Sequence, residues 1–251
     1  MNVRMLCVLM SFPVFLIACQ QPPEPLPVIS ETAEVVSEPL PEAPAEPLVA
    51  EDIPAPAEVP VETAPATVFT AAWDAKPDGA AWTAATLAAL EQYGQPLITN
   101  VPEDIADWCP DYAGLTGEAR KSVWLMLISS LAKFESNHRA DVTFQESFND
   151  SQGNPVISRG LLQISIESGR GYRCDIPEAV ALHDAGVNLT CGVRIMNRWI
   201  GERDSRVAGR VTPAAGDNGW RGAARYWSPF RDAAKVRSMA ADVSALPVCG
   251  G

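Results

Sequence analysis

The segment from Gln20 to Phe69 does most to limit what this chain can fold into. It consists largely of Pro, Ala, Glu and Val, and it holds ten acids and no Lys or Arg. Such a composition cannot bury enough apolar surface to offset the entropy lost on ordering. Its prolines favour an extended, semi-rigid spacer reaching roughly 150 Å at ~3 Å per residue. Residues 19–69 therefore read as a tether; a merely solubilising acidic tail is the alternative. About 180 residues remain, from Thr70 to Gly251, enough for one domain with a sizeable core. All seven tryptophans lie there. The formal net charge of −12 is mostly the spacer's, and the remainder is nearly neutral with 18 basic and 21 acidic residues. No basic patch points to nucleic acid as a partner.

The first 18 residues, MNVRMLCVLMSFPVFLIA, combine one early arginine with an apolar run and a small residue before Cys19. That pattern is a secretory signal, too short and too weakly flanked for a membrane span. Leu16-Ile17-Ala18-Cys19 resembles a bacterial lipobox, which implies cleavage before Cys19 and lipidation of that cysteine. By the same resemblance, Gln20 and Gln21 favour the outer membrane, with the protein facing the periplasm. An ordinary signal with a chance cysteine is the competing reading.

Four cysteines remain for the domain: Cys109, Cys174, Cys191 and Cys249. An exported chain meets an oxidising compartment, so an even count suggests two disulfides. Of the three possible pairings, Cys174–Cys191 closes a short loop and Cys109–Cys249 ties the domain's ends; these two are favoured. Zinc competes poorly, because no Cys-x-x-Cys pair exists and the chain has two histidines. No metal or other cofactor is expected.

The domain reads as mainly α. Trp82 to Tyr93 has helical patterning with Gly94 as a stop. Thr116 looks like a cap for a helix running to Glu135 or Ser136, with Asn137 and His138 at its end. From Asp141 to Ser158 the periodicity fails, which predicts a long loop with room for a short β-hairpin. Asp184 looks like the cap of a helix through Ile200. Asn218 is read as opening a short helix through Tyr226, and Ser228-Pro229 as opening the last one, to about Val243.

Within the second helix, Trp124, Ile128, Leu131 and Glu135 step by four, three and four, forming one stripe. An acid on an apolar stripe is at least partly desolvated, which raises its pKa. The negative end of the helix macrodipole pushes the same way. A carboxyl held protonated near neutral pH suits a general acid. A solvated surface acid, or a partner for Arg139, is the plain alternative. In Ser158-Arg-Gly160-Leu-Leu-Gln163-Ile-Ser165, Gly160 can permit close backbone approach and Gln163 can orient a ligand.

Glu135-Ser136, then Gly160-Leu161-Leu162-Gln163-Ile164, then Asn188-Leu189 with Gly192, then Ala223-Ala224-Arg225-Tyr226, resemble the catalytic domain of soluble lytic transglycosylases. The likeness covers Ser122 to Phe230. It implies a lysozyme-like fold over residues 70–251. It also implies cleavage of the β-1,4 bond between N-acetylmuramic acid and N-acetylglucosamine in peptidoglycan, leaving 1,6-anhydromuramic ends. Glu135 would then be the acid and base. Ser136, Ser158, Gly160, Gln163, Asn188, Tyr226 and Trp227 are carried over as substrate-binding positions, Ser136 more as a support for the helix end. Three departures stand out. The gap from Glu135 to Gly160 is longer than the family's, Tyr226 is followed by Trp227 where the family has Asn, and Asn154 or Ser158 replaces a serine before the glycine.

A second carboxylate would turn a transglycosylase into a hydrolytic muramidase, and Asp141, Glu146, Asp150 and Glu167 are the candidates. Asp150-Ser-Gln-Gly-Asn lacks the ligand pattern of a calcium loop. Trp124 and Trp199 are expected in the core. Trp220 and Trp227 are weighed between core and sugar stacking. His138 is expected to cap the helix rather than move protons. A non-catalytic peptidoglycan-binding lipoprotein and a structural tether are the non-enzyme readings. A tethered wall enzyme would also suit recruitment by secretion or division machinery.

Overall fold

A computed structural model describes residues 69–250. The signal segment, the lipidation site at Cys19 and the spacer lie outside the described residues. The fold is mainly α with two small antiparallel sheets, as the sequence predicted.

Helix α3, Gly117–Ser136, forms the axis. It starts at Thr116, whose Oγ1 accepts the Ala119 N–H at 3.3 Å, satisfying an orphan donor of the first turn. From Lys121 to Ala132 every residue except Met126 is buried. The apolar stripe has therefore widened to nearly the whole circumference, as befits a helix wrapped by its neighbours. Small polar residues on it serve the packing: Ser130 donates to Asp242 at 2.9 Å, and Ser129 accepts the Ala72 N–H at 2.9 Å. Trp124 is buried and donates to the Leu97 carbonyl at 2.8 Å.

Around α3 lie α1 (Gly79–Tyr93), α2 (Gln95–Thr99), α4 (Ile166–Gly171), α5 (Ala185–Met196) and α6 (Ala233–Ser244). α1 packs on α5, and α6 packs on α3. α1 begins three residues before Trp82, because Gly79 fits a backbone approach in which a Cβ would sit 2.5 Å from the Trp73 carbonyl oxygen. Asp184 caps α5 as expected, accepting the Val187 N–H at 2.9 Å. The helix does not run on as α to Ile200, however. Asn197–Asp204 is a π-helical continuation that ends at Ser205 with φ 47°.

The irregular stretch after α3 is a hairpin plus a short third strand. β1 (Thr143–Asn149), β2 (Pro155–Arg159) and β3 (Ile164–Ser165) make one antiparallel sheet in that order. Asp150 closes the hairpin, its Oδ1 accepting the N–H groups of Gln152 and Asn154 at 2.9 and 2.8 Å. This side chain is a turn-former.

Two expected boundaries fail. Asn218 to Tyr226 is not a helix: β4 (Ala208–Arg210) pairs with β5 (Trp220–Gly222), followed by a 3₁₀ turn at Ala223–Arg225. Gly219 and Gly222 have φ of 80° and 59°, which a right-handed helix cannot hold. Ser228-Pro229 opens only a 3₁₀ turn, Ser228–Arg231. Asp232 makes the true cap of α6, accepting from Ala234 and Lys235 at 2.8 and 3.2 Å.

Both favoured disulfides are present. Cys109–Cys249 spans a sequence separation of 140 and Cys174–Cys191 a separation of 17. In a chain-entropy account the long loop gains more from closure, by about 2 kcal/mol. The Cys109→Ser/Cys249→Ser pair should therefore unfold at lower urea than Cys174→Ser/Cys191→Ser. The reverse order in equilibrium denaturation would show that local packing, not loop closure, sets the difference.

Candidate active site

Glu135 occupies the last turn of α3, and the chain stops the helix immediately behind it. Asn137 and His138 both adopt left-handed backbone, φ 54° and 55°. Their N–H groups close on the carbonyls of Lys133 and Ala132 at 3.1 and 3.3 Å, a helix-ending pattern of the Schellman kind. Ser136 is buried; its hydroxyl lies 3.1 Å from the Ala132 carbonyl and 2.9 Å from that of Leu161. It also accepts the Arg139 N–H at 3.2 Å. Ser136 thus pins the helix end to the Gly160–Gln163 turn, the supporting place expected of it, and is not among the residues lining the cleft.

Glu135 itself is half-buried. Burial pushes its carboxyl up to about 7, the positive charge of Lys235 opposes the shift, and the negative charge of Glu146 adds to it. A second acid therefore faces the first. On β1, whose register with β2 shifts between Gln145 and Asn149, Glu146 and Phe148 both line the cleft. Glu146 is half-buried, flanked by phenylalanines that are 59% and 58% exposed. From β2, Ser158 donates to Glu146 Oε1 at 2.6 Å, so Ser158, itself buried, orients the second acid.

Both glutamates line an open cleft of about 360 Å³, with Phe148, Gln163, Tyr226 and Arg225. Gln163 has φ 48°. Its Nε2 donates to the carbonyls of Gly160 and Val142 at 2.8 and 3.3 Å. Its Oε1 is buried without a hydrogen-bond partner. A buried orphan acceptor is costly, and this one has no open surface toward the cleft. Tyr226 stands on the cleft wall. Its phenol pKa is raised chiefly by burial, with Glu135 adding to the effect, so the hydroxyl stays a neutral donor. Arg225 is held by Asp204, Nε to Oδ2 at 2.7 Å.

Two further positions carried over as substrate-binding, Gly160 and Asn188, are corrected, and a third, Trp227, has a double role. Gly160 has φ 75°, and a Cβ there would lie 2.2 Å from the Leu182 carbonyl oxygen and 2.4 Å from Asn188 Nδ2. Its role is to let the turn close. Asn188 is fully buried: its Oδ1 accepts the Leu162 N–H at 2.9 Å, and its Nδ2 donates to the carbonyls of Arg159 and Leu182 at 2.9 and 3.0 Å. Trp227 is 2% exposed, and its Nε1 donates to the Leu162 carbonyl at 3.0 Å. It also lines the cleft beside Tyr226, with little of its ring face open.

Of the four loop acids, Glu146 reaches the cleft. Asp141 is exposed beside Arg139, Asp150 builds the hairpin turn, and Glu167 is exposed in the first turn of α4. His138 is buried and bonds through Nε2 with the Ser129 carbonyl at 2.9 Å. Trp220 packs against Arg210 and Arg231, and Trp199 is half-buried, bonded to Tyr172. Sequence reasoning left Glu146 undistinguished, although the alternation in Thr143-Phe-Gln-Glu-Ser-Phe-Asn149 could have placed it on one face with Phe148. Phe148 and Arg231, also cleft-lining, carried no signal of their own. Among the described residues no cluster of His, Cys, Asp and Glu is arranged to hold a metal ion.

No protein-family model matches the chain, and no curated protein matches it. Solved structures do. Wild-type Bd0314 DslA from Bdellovibrio is 42% identical, with a TM-score of 0.67, covering 72% of this chain and 98% of that one. Two glutamate-to-glutamine variants of the same protein are 41% identical, with TM-scores of 0.67 and 0.68. The glutamates replaced in those variants stand as far apart in their chain as Glu135 and Glu146 do in this one.

The raised Glu135 pKa has a thermodynamic consequence. Its folded value lies above the unfolded one, so the folded state holds the proton more tightly. The stability advantage is complete below about pH 4.3 and is lost as pH rises through 7. Glu135→Gln should match wild type in urea denaturation at pH 4 and exceed it at pH 8 by roughly 1–3 kcal/mol. Equal stability at both pH values would mean that Glu135 titrates as an ordinary surface acid.

Proposed function

The chain belongs to the family of Bd0314 DslA, and from that footing we propose that it is a cell-wall enzyme cutting the β-1,4 bond between N-acetylmuramic acid and N-acetylglucosamine in peptidoglycan. The observation that carries this reading is the pair of glutamates facing one cleft in different environments. Glu135, raised to about 7, would give its proton to the glycosidic oxygen as the bond to the leaving sugar breaks. Glu146, oriented by Ser158, is positioned to act as the second carboxylate. Phe148, exposed on the cleft wall, offers an apolar face against which a sugar ring can stack. The Tyr226 hydroxyl on the cleft wall supplies a donor for sugar polar groups.

The second acid moves the balance between the two chemistries considered from sequence. A transglycosylase needs one acid/base, because the muramic 6-hydroxyl is the nucleophile. A hydrolase uses two carboxyls, one to protonate the leaving oxygen and the other to activate water or attack carbon. Glu146 therefore favours hydrolysis to reducing ends. The transglycosylase reading stays as the second one, supported by the motif likeness around Glu135 and Gln163. For location, the proposal remains a lipid anchor at Cys19 in the outer membrane, with the spacer letting the domain reach the wall. Among the described residues no helix is long and apolar enough to cross a membrane.

The test is mass spectrometry of soluble muropeptides after the full chain acts on purified peptidoglycan. Reducing-end products are expected, with both Glu135→Gln and Glu146→Gln slowed by at least about 10²-fold. Products lighter by one water, with Glu146→Gln fully active, would replace hydrolysis by the transglycosylase reading. Full activity in Glu135→Gln would remove the acid on which both readings depend.

A further inference from the structure

Tyr172 meets Tyr226 of the cleft edge-on, ring centroids 5.7 Å apart, and lines a second basin of about 440 Å³. Three arginines line it, Arg173, Arg194 and Arg198, against a single acid, Glu202. That acid is already satisfied: it accepts from Arg198 at 3.1 Å and from Asn197 at 2.9 Å. The guanidinium groups of Arg173 and Arg194 have no ion pair or hydrogen bond among the described residues. Arg194 is instead steered by stacking over Tyr93 at 4.4 Å, a cation–π contact that leaves its N–H groups free. The Tyr172 hydroxyl accepts from Trp199 Nε1 at 2.7 Å, which leaves its own hydrogen to donate. The basin thus holds several unused donors, while its one carboxylate is committed.

The fold holds these donors in place. Cys191, Arg194 and Arg198 step by three and four along α5 and its continuation, so they share one face. The Cys174–Cys191 disulfide clamps that face to the residue next to Arg173. Arg173 itself is in left-handed backbone, φ 59°, a conformation that costs a non-glycine residue about 1 kcal/mol or more. That conformation ends α4: the N–H groups of Arg173 and Cys174 close on the carbonyls of Arg170 and Gly169 at 3.0 and 2.9 Å, and the helix end together with the disulfide fixes the backbone from which Arg173 projects.

We propose that this arginine basin binds a carboxylate of the short peptide carried by a glycan strand lying in the neighbouring cleft. Guanidinium forks match carboxylates in a planar, two-bond geometry, and the Tyr172–Tyr226 contact makes basin and cleft neighbours. The inference rests on the peptidoglycan reading above for the identity of the peptide. Its consequence is selectivity for strands whose stem peptides keep free carboxylates.

The test is calorimetric binding of the free stem tetrapeptide to the full chain, beside the same peptide with every carboxylate amidated and beside inorganic phosphate. Wild type and Glu135→Gln should bind the free peptide equally, and amidation should weaken binding at least about tenfold. Arg173→Gly removes a guanidinium while suiting the local backbone, and Arg194→Lys keeps the charge but loses the fork. Each should weaken binding by about tenfold. Equal binding of the amidated peptide, indifference to both substitutions, or binding of phosphate but not of the peptide would overturn the proposal. Because free peptide reads no bond cleavage, a chain that binds it at these arginines yet leaves peptidoglycan intact would sink the catalytic reading alone. A chain that cuts peptidoglycan without binding the peptide would sink the basin alone.

Discussion

The buried Asn188 side chain is the tie on which the rest of the site depends. It joins three backbone segments at once: Leu162 in the turn between β2 and β3, Arg159 at the end of β2, and Leu182 ahead of α5. Ser136 and Trp227 hold the carbonyls of Leu161 and Leu162 in the same turn. The turn is thereby fixed to α3, to α5 and to the Ala223–Arg231 region together. In a low-dielectric interior, satisfied bonds of this kind are strong and broken ones expensive. Moving this turn would displace Gln163, the sheet that carries Glu146, and the anchor beside Glu135 together.

On that frame, environment separates the two acids. Glu135 continues the core-facing surface of a buried helix, so water is scarce around its carboxyl. Glu146 stands on a strand whose other residues are mostly exposed, and it accepts a hydrogen bond from Ser158. One acid is biased to keep its proton at neutral pH, and the negative charge of the other strengthens that bias. Pairs of titratable groups with divergent surroundings are how one site supplies both an acid and a base.

Much of this was legible in the sequence, and what was missed has a common cause. The run from Val123 to Leu131 and the Thr116 cap announced α3, because local patterning decides it, while the even cysteine count and the placement of two cysteines at the domain's ends pointed to both disulfides. The same locality misled around Asn218 to Tyr226, where two positive-φ glycines and the pairing of β4 with β5 override helical spacing. The motif that pointed to Glu135 and Gln163 also swept in Ser136, Gly160, Asn188 and Trp227. A linear motif does not separate residues that touch a ligand from residues that hold the backbone behind it. Here Ser136, Gly160 and Asn188 do the holding, and Trp227 holds the turn while also lining the cleft. Glu146 was one of four loop acids because the hairpin that presents it is specified by tertiary pairing, with the strong local signal confined to the Asp150 turn.

The arrangement makes one claim above the others: Glu135 is an acid kept protonated near neutrality by burial and by Glu146. The most direct measurement is a carboxyl-carbon NMR titration of Glu135 in the wild-type chain and in Glu146→Gln. A midpoint near 7 in the wild type, moving downward once the neighbouring negative charge is gone, is the predicted result. A midpoint in the ordinary glutamate range, unmoved by that substitution, would contradict the account.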